Sequence, residues 1–231
     1  MPNFAKRIIS TIILAPVLIY LMIIGGALLD LVIISAFLIA LFEWVKITNS
    51  SKKKFLWWIF GVLYISFACL VLLFLARYRV NIPYFDNFPI LMFVIVLLVW
   101  INDIFGYIFG KLIGGPKLCP KISPNKTWAG AIGGVFGCLL FFFILNYSVD
   151  FGADKVSDKN FYSALLIHIF IPIISQIGDL FESWLKRKHN VKDSGNIIPG
   201  HGGILDRIDG LLLVLNVTGI YFYYHIIKVI S

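Results

Sequence analysis

Charge is what this 231-residue chain has least of. Asp, Glu, Lys and Arg make up 14% of it while 60% is hydrophobic, against about 25% charged and about 45–50% apolar in soluble domains. A water-soluble globular fold is excluded. Cysteine is scarce too: Cys69, Cys119 and Cys138 are widely spaced and form no C-x-x-C pair, which excludes a disulfide framework and a cysteine zinc site. Alternating segments of about ten residues are missing, which excludes an outer-membrane barrel. No A-x-A-like cleavage site ends the apolar stretch that begins at Ile8, so that stretch is expected to stay as a first span rather than leave as a signal peptide.

What the chain does have is long apolar runs, each able to cross a hydrocarbon core roughly 30 Å thick, and only helices satisfy the backbone in lipid this way. Hydropathy predicts spans near residues 8–24, 27–45, 55–76, 88–109, 128–147, 161–181 and 208–230, with Gly25-Gly26 a tight hairpin between the first two. The expected fold is all-α, a polytopic helical bundle of about seven (roughly six to nine) transmembrane helices. Residues 1–231 form one membrane domain, of which 1–87 is poor in motifs and 88–231 holds the candidate catalytic helices and loops.

Of the 20 Lys and Arg, only Arg77, Arg79, Lys155, Lys159 and Lys228 fall on the side opposite the N-terminus. By the positive-inside rule the N-terminus is cytoplasmic, and an odd span count puts Ser231 outside. The location expected is a bacterial-type cytoplasmic (inner) membrane, with the site on its cytoplasmic face. Trp44, Trp57, Trp58, Trp128 and Trp184 are expected as interfacial aromatics. The net charge of +8 then reflects basic inner loops facing anionic headgroups, and nucleic-acid binding is not expected. Lys52-Lys53-Lys54 reads as a solvated face.

The twelve acidic residues say more, because a carboxylate near hydrocarbon survives only beside a cavity, a metal or a partner. Asp30 and Glu43 lie near the two ends of the second span and are expected to snorkel to the interface. Asp103, Asp179, Glu182, Asp193, Asp206 and Asp209 lie at cytoplasmic span ends or in the large inner loop. Asp179, Glu182, Ser183 and Lys186 stand at i, i+3, i+4 and i+7, one face of a helix, and Asp206 and Asp209 are i, i+3 neighbours. Between them come Lys186, Arg187, Lys188 and Lys192, then Pro199-Gly200-His201-Gly202-Gly203. Carboxylates suit a hard divalent cation, and Lys, Arg and glycine-loop N–H groups suit phosphate. Together they suit metal-assisted phosphoryl or nucleotidyl transfer.

A second inner segment adds Asp103, Gly106, Tyr107, Gly110 and Lys111, then Ser123-Pro124-Asn125-Lys126-Thr127. The run from Gly106 to Leu112 is not a Walker A loop, since it lacks the spacing and the Ser or Thr after Lys. Gly130, Gly133, Gly134 and Gly137 are expected to be helix-packing contacts. Among the histidines only His201, in the glycine loop, is a candidate phosphate or base contact.

Ser183-Trp184-Leu185-Lys186-Arg187, Lys192-Asp193-Ser194-Gly195 and Pro199-Gly200-His201-Gly202-Gly203-Ile204-Leu205-Asp206-Arg207-Ile208-Asp209 resemble the motif of the phosphatidate cytidylyltransferases, or CDP-diacylglycerol synthases. Gln176 to Ser183 and Ser123 to Gly130 resemble two further family segments. Asn125 stands where that family often has Lys, Ala129 where it often has Glu, and the chain is short for the family. The resemblance implies transfer of CMP from CTP to phosphatidate with Mg2+, and a second cation as an option. It nominates Asp179, Asp206, Lys192 and Arg207 as catalytic. Asp179 and Asp206, then Asp209, Glu182 and Asp103, are the candidate metal ligands. Ser123, Lys126, Thr127, Lys186, Arg187, Lys192, Asp193, Gly200, His201, Gly202, Gly203 and Arg207 are candidates for CTP and phosphate. The implied partners are CTP, phosphatidate and membrane lipids, with a homodimer as the oligomer to test. The rivals are a CTP-dependent kinase of a long-chain alcohol, with the same site chemistry, and a cation transporter, which would place acids at the bilayer midplane.

Overall fold

The computed structural model describes residues 15–82, 85–149, 158–197 and 202–230. Over these residues it is built from helices α1 (Ala15–Ile24), α2 (Gly26–Thr48), α3 (Lys54–Arg77), α4 (Ile90–Leu112), α5 (Trp128–Val149), α6 (Asp158–Lys188) and α7 (Leu205–Ile230). Five of them, α2 to α6, are long and apolar enough to cross a membrane. The helices fall where the apolar runs predict them, although residues 8–14 of the first run lie outside the described residues.

The chain is mostly helical, with short strands between some of the helices. Two antiparallel ribbons join helices, β1 (Val80–Ile82) with β2 (Phe85–Phe88), and β3 (Lys117–Cys119) with β4 (Ser123–Thr127). In the second, Lys117 pairs with Thr127 and Cys119 with Ser123. Gly114 and Gly115 both have positive φ, at 67° and 88°, a conformation that costs glycine little, and they turn the chain from α4 into β3.

The chain divides into two compact units, residues 1–94 with 185–231, and residues 95–184. In the first, α3 packs on α2 and α7. Trp44 is 1% exposed and its Nε1 donates to the Trp57 carbonyl at 2.8 Å; a side chain at Gly61 would collide with its indole. Trp44 is therefore a core anchor, not the interfacial aromatic expected, because the pocket opposite Gly61 takes the whole ring and Trp57 satisfies its N–H. Asp30 does not simply snorkel either, since it pairs with Arg77 at 2.8 Å. At the end of α1 the Arg79 guanidinium donates to the carbonyls of Met22 and Ile23 at 3.2 and 3.1 Å, and so satisfies helix-end acceptors that lipid cannot.

In the second unit, α4 and α5 approach along the expected glycine stripe. A side chain at Gly130 would meet the Gly106 carbonyl, one at Gly133 would meet Phe109, and one at Gly137 would meet Phe105. Small residues let the two backbones close up, as in membrane helix pairs generally. The Thr127 hydroxyl accepts from Gly130 N–H at 3.1 Å, the N-cap bond that starts α5 at Trp128.

Candidate active site

The predicted residues gather into two groups, one in each unit. In the unit of residues 95–184, the end of α4, strand β4, the start of α5 and the middle of α6 enclose a cavity of about 440 Å³. Asp103, Lys111, Lys126, Thr127 and Asp179 line it, with Asn102, Asn125 and Gln176. The chemistry is that of oxygen donors and ammonium groups in one hollow. The Lys126 ammonium is ion-paired with the Asp179 carboxylate, and both side chains stay partly exposed. Ser183 donates to Asp179 Oδ1 at 3.4 Å, the i, i+4 contact that the sequence spacing implies.

Two amides support this hollow, and neither was nominated from sequence. Gln176 Nε2 donates to Asn102 Oδ1 at 2.7 Å and to the Ala131 carbonyl at 3.0 Å. Asn102, 3% exposed, in turn donates to Asp103 Oδ1 at 3.4 Å. A side chain at Gly134 would strike Asn102 Oδ1, so that glycine makes room for the amide as well as for the helix. The available signal was polar side chains inside apolar runs, which persist in lipid only when they have partners.

In the unit of residues 1–94 and 185–231, the second group is a clamp on the segment before α7. Asp206 Oδ1 accepts from Lys186 Nζ at 2.6 Å, and Asp206 Oδ2 accepts from the N–H groups of Ser194 and Gly203, both at 3.0 Å. Burial opposes ionisation of Asp206, but the Lys186 ammonium and those two N–H groups outweigh it and hold the carboxyl below its ordinary range. Both Asp206 oxygens are thus engaged within the protein.

Glu43 is the larger surprise. Instead of snorkelling it is 2% exposed and accepts from Ser194 Oγ at 3.1 Å, Ile204 N–H at 3.2 Å and Leu205 N–H at 2.8 Å. Helix starts carry unsatisfied N–H donors and a partial positive charge. A carboxylate from α2 meets those of α7, so it is more stable buried than at the interface.

The remaining nominees are placed as follows. Ser123 is half-buried in β4. Lys192, Asp193, Arg187 and Arg207 are exposed, and Arg187 also donates to the Val191 carbonyl. Glu182 is buried in α6. Asp209 Oδ1 accepts from Gly210 N–H at 2.7 Å. Gly202 has φ 85°, while Pro199, Gly200 and His201 lie outside the described residues. Among the described residues, no three His, Cys, Asp or Glu side chains cluster as a metal site. Within the unit of residues 95–184, Asp103 and Asp179 line one cavity.

Apolar helices long enough to span a bilayer, with a cavity lined by carboxylates and lysines, are the features of a membrane protein with a charged pocket. Residues 58–226 match the cytidylyltransferase family, and the chain belongs to that family. It is 36% identical to the phosphatidate cytidylyltransferase of Rickettsia bellii, over 91% of this chain and 87% of that one. Against that of Brucella abortus it is 31% identical, over 92% and 90%. A stretch of 124 residues is 48% identical to that of Staphylococcus haemolyticus, covering 54% of this chain and 45% of that one.

Proposed function

We propose that this chain is a phosphatidate cytidylyltransferase, transferring CMP from CTP to phosphatidate to give CDP-diacylglycerol and pyrophosphate. The observation that carries the reading is the cavity lined by Asp103 and Asp179 together with Lys111 and Lys126. A phosphate oxygen of phosphatidate attacks the α-phosphorus of CTP, the bond from that phosphorus to the bridging oxygen breaks, and pyrophosphate leaves with the electron pair. The nucleophile is already anionic, so the residues have little proton transfer to do and much charge to balance.

Lys111 and Lys126 supply positive charge to phosphate oxygens, and Lys126 is also the group that balances Asp179. The donor chemistry of the cavity fits Mg2+, with two carboxylates and the side-chain oxygens of Asn102, Asn125, Gln176 and Thr127 nearby. Asp103 and Asp179 would hold the cation, which would neutralise triphosphate charge. Lys192, Asp193 and Arg207 are exposed and are the proposed contacts to nucleotide, and Asp206 fixes Lys186 and the chain before α7.

The membrane setting follows from the substrates, one anchored in lipid and the other dissolved. Lysine and arginine asymmetry supports a cytoplasmic membrane with the N-terminus and site inside. The test is a turnover assay on detergent-purified protein with radiolabelled CTP, phosphatidate and Mg2+. Metal-dependent CDP-diacylglycerol and pyrophosphate are expected; phosphorylation of a long-chain alcohol with release of CDP, or silence in both assays, overturns the reading.

A further inference from the structure

We infer that Glu43, on a helix with no family motif, is a positioning residue for the nucleotide half of the reaction; this rests on the function proposed above. The argument begins with the room Glu43 occupies. A side chain at Gly195 would collide with Glu43 Oε1, and one at Gly203 would collide with Ser194 Oγ and approach both Glu43 oxygens. Both glycines therefore leave space for this carboxylate. Gly203, nominated from sequence as part of a phosphate cradle, has its missing side chain on the Glu43 side.

The bonds show what the carboxylate does there. Oε2 accepts from Ser194 Oγ and Leu205 N–H, and Oε1 accepts from Ile204 N–H. Glu43 thus holds Ser194 together with Ile204 and Leu205 at the start of α7. Ser194 directly follows Lys192-Asp193, and Leu205 directly precedes Asp206-Arg207, so one side chain sets where four nominated residues stand. Asp206 closes the same knot by accepting from Ser194 and Gly203 N–H. Three satisfied bonds make a buried carboxylate tolerable, and removing one acceptor strands a donor beside a side chain only 2% exposed.

Glu43→Gln tests this, since the amide keeps the shape but turns one acceptor into a donor facing a donor. The expected result is a rise of about ten-fold or more in the KM for CTP, the cost of one lost charged hydrogen bond. The KM for phosphatidate and the protein yield should stay near wild type. Gly203→Ala, which pushes on the same carboxylate from the other side, should give the same split, and Ser194→Ala a smaller one. Asp30→Asn, on the same helix but paired with Arg77, should change neither constant. Equal changes in both KM values, or lowered thermal stability with unchanged kinetics in Glu43→Gln and Gly203→Ala, would reduce Glu43 to a structural residue. If the wild-type protein makes no CDP-diacylglycerol, the functional reading fails instead, and the two failures are told apart by that control.

Discussion

Lys186 Nζ and Asp206 Oδ1 lie 2.6 Å apart with side chains only 11% and 8% exposed, and the pair ties the end of α6 to the start of α7. Removing one partner from such a site strands the other charge. Asp206→Asn or Lys186→Met should each destabilise the detergent-solubilised protein by about 3 kcal/mol. The double variant should cost less than the sum of the two, a coupling that thermal melts of all four proteins would read; strict additivity would remove the pair as a stabilising unit.

The same carboxyl gives a pH dependence. Its value is lowered in the folded protein, so its contribution is fully present above the ordinary carboxylate range, about pH 4, and is lost as pH falls through the lower folded value. The melting-temperature gap between wild type and Asp206→Asn should be full at pH 7 and shrink toward pH 3. A gap that widens in acid would contradict the assignment.

Asp179 is about one-third exposed, so its loss should spare folding and strike the chemistry. Asp179→Asn is expected to reduce kcat by about 100-fold or more, as loss of a group that balances transition-state charge does. Lys126→Met should raise the KM for CTP. Near-normal turnover in Asp179→Asn would exclude it from the site.

Gly134→Ala places a methyl group on Asn102 Oδ1. Overpacking of this kind costs about 1–3 kcal/mol, and activity should fall further than stability because Asn102 reaches Asp103. Melting and turnover measured on the same preparation separate the two effects.

Cys119 lies in β3, outside the apolar spans, whereas Cys69 is in α3 and Cys138 is buried in α5. A membrane-impermeant maleimide should leave Cys119 unmodified in intact cells and label it in inverted vesicles. The reverse pattern would turn the protein over in the membrane.

The helices were legible because apolar length is a local property, and the glycine stripe of α5 was legible because helix packing repeats at a fixed spacing. The β3–β4 ribbon was not: Lys117–Cys119 is too short to show a period, and Pro124 within β4 argues against a strand. The cavity residues Asp103, Lys126, Thr127 and Asp179 were readable as charged or hydroxylic groups at span ends. Asn102 and Gln176 were hidden in hydropathy averages. Glu43 was illegible for a different reason. Its three donors are 151 to 162 residues away in sequence, and no local pattern encodes a partner at that distance. Trp44 failed likewise, since only Gly61 opposite it reveals that the indole turns inward.

That separation also sets a timetable for synthesis. α2 leaves the ribosome long before Ser194, Ile204 and Leu205 exist, and at about 5–20 residues per second Glu43 waits on the order of ten seconds or more for its donors. Until α7 arrives, a carboxylate near the end of an apolar helix has no lasting partner, a costly state in a bilayer. The early helices therefore cannot reach final packing ahead of the last one. A nascent chain cut short before residue 205 carries an exposed mark of incompleteness, legible to any surveillance machinery that samples polar groups in the membrane.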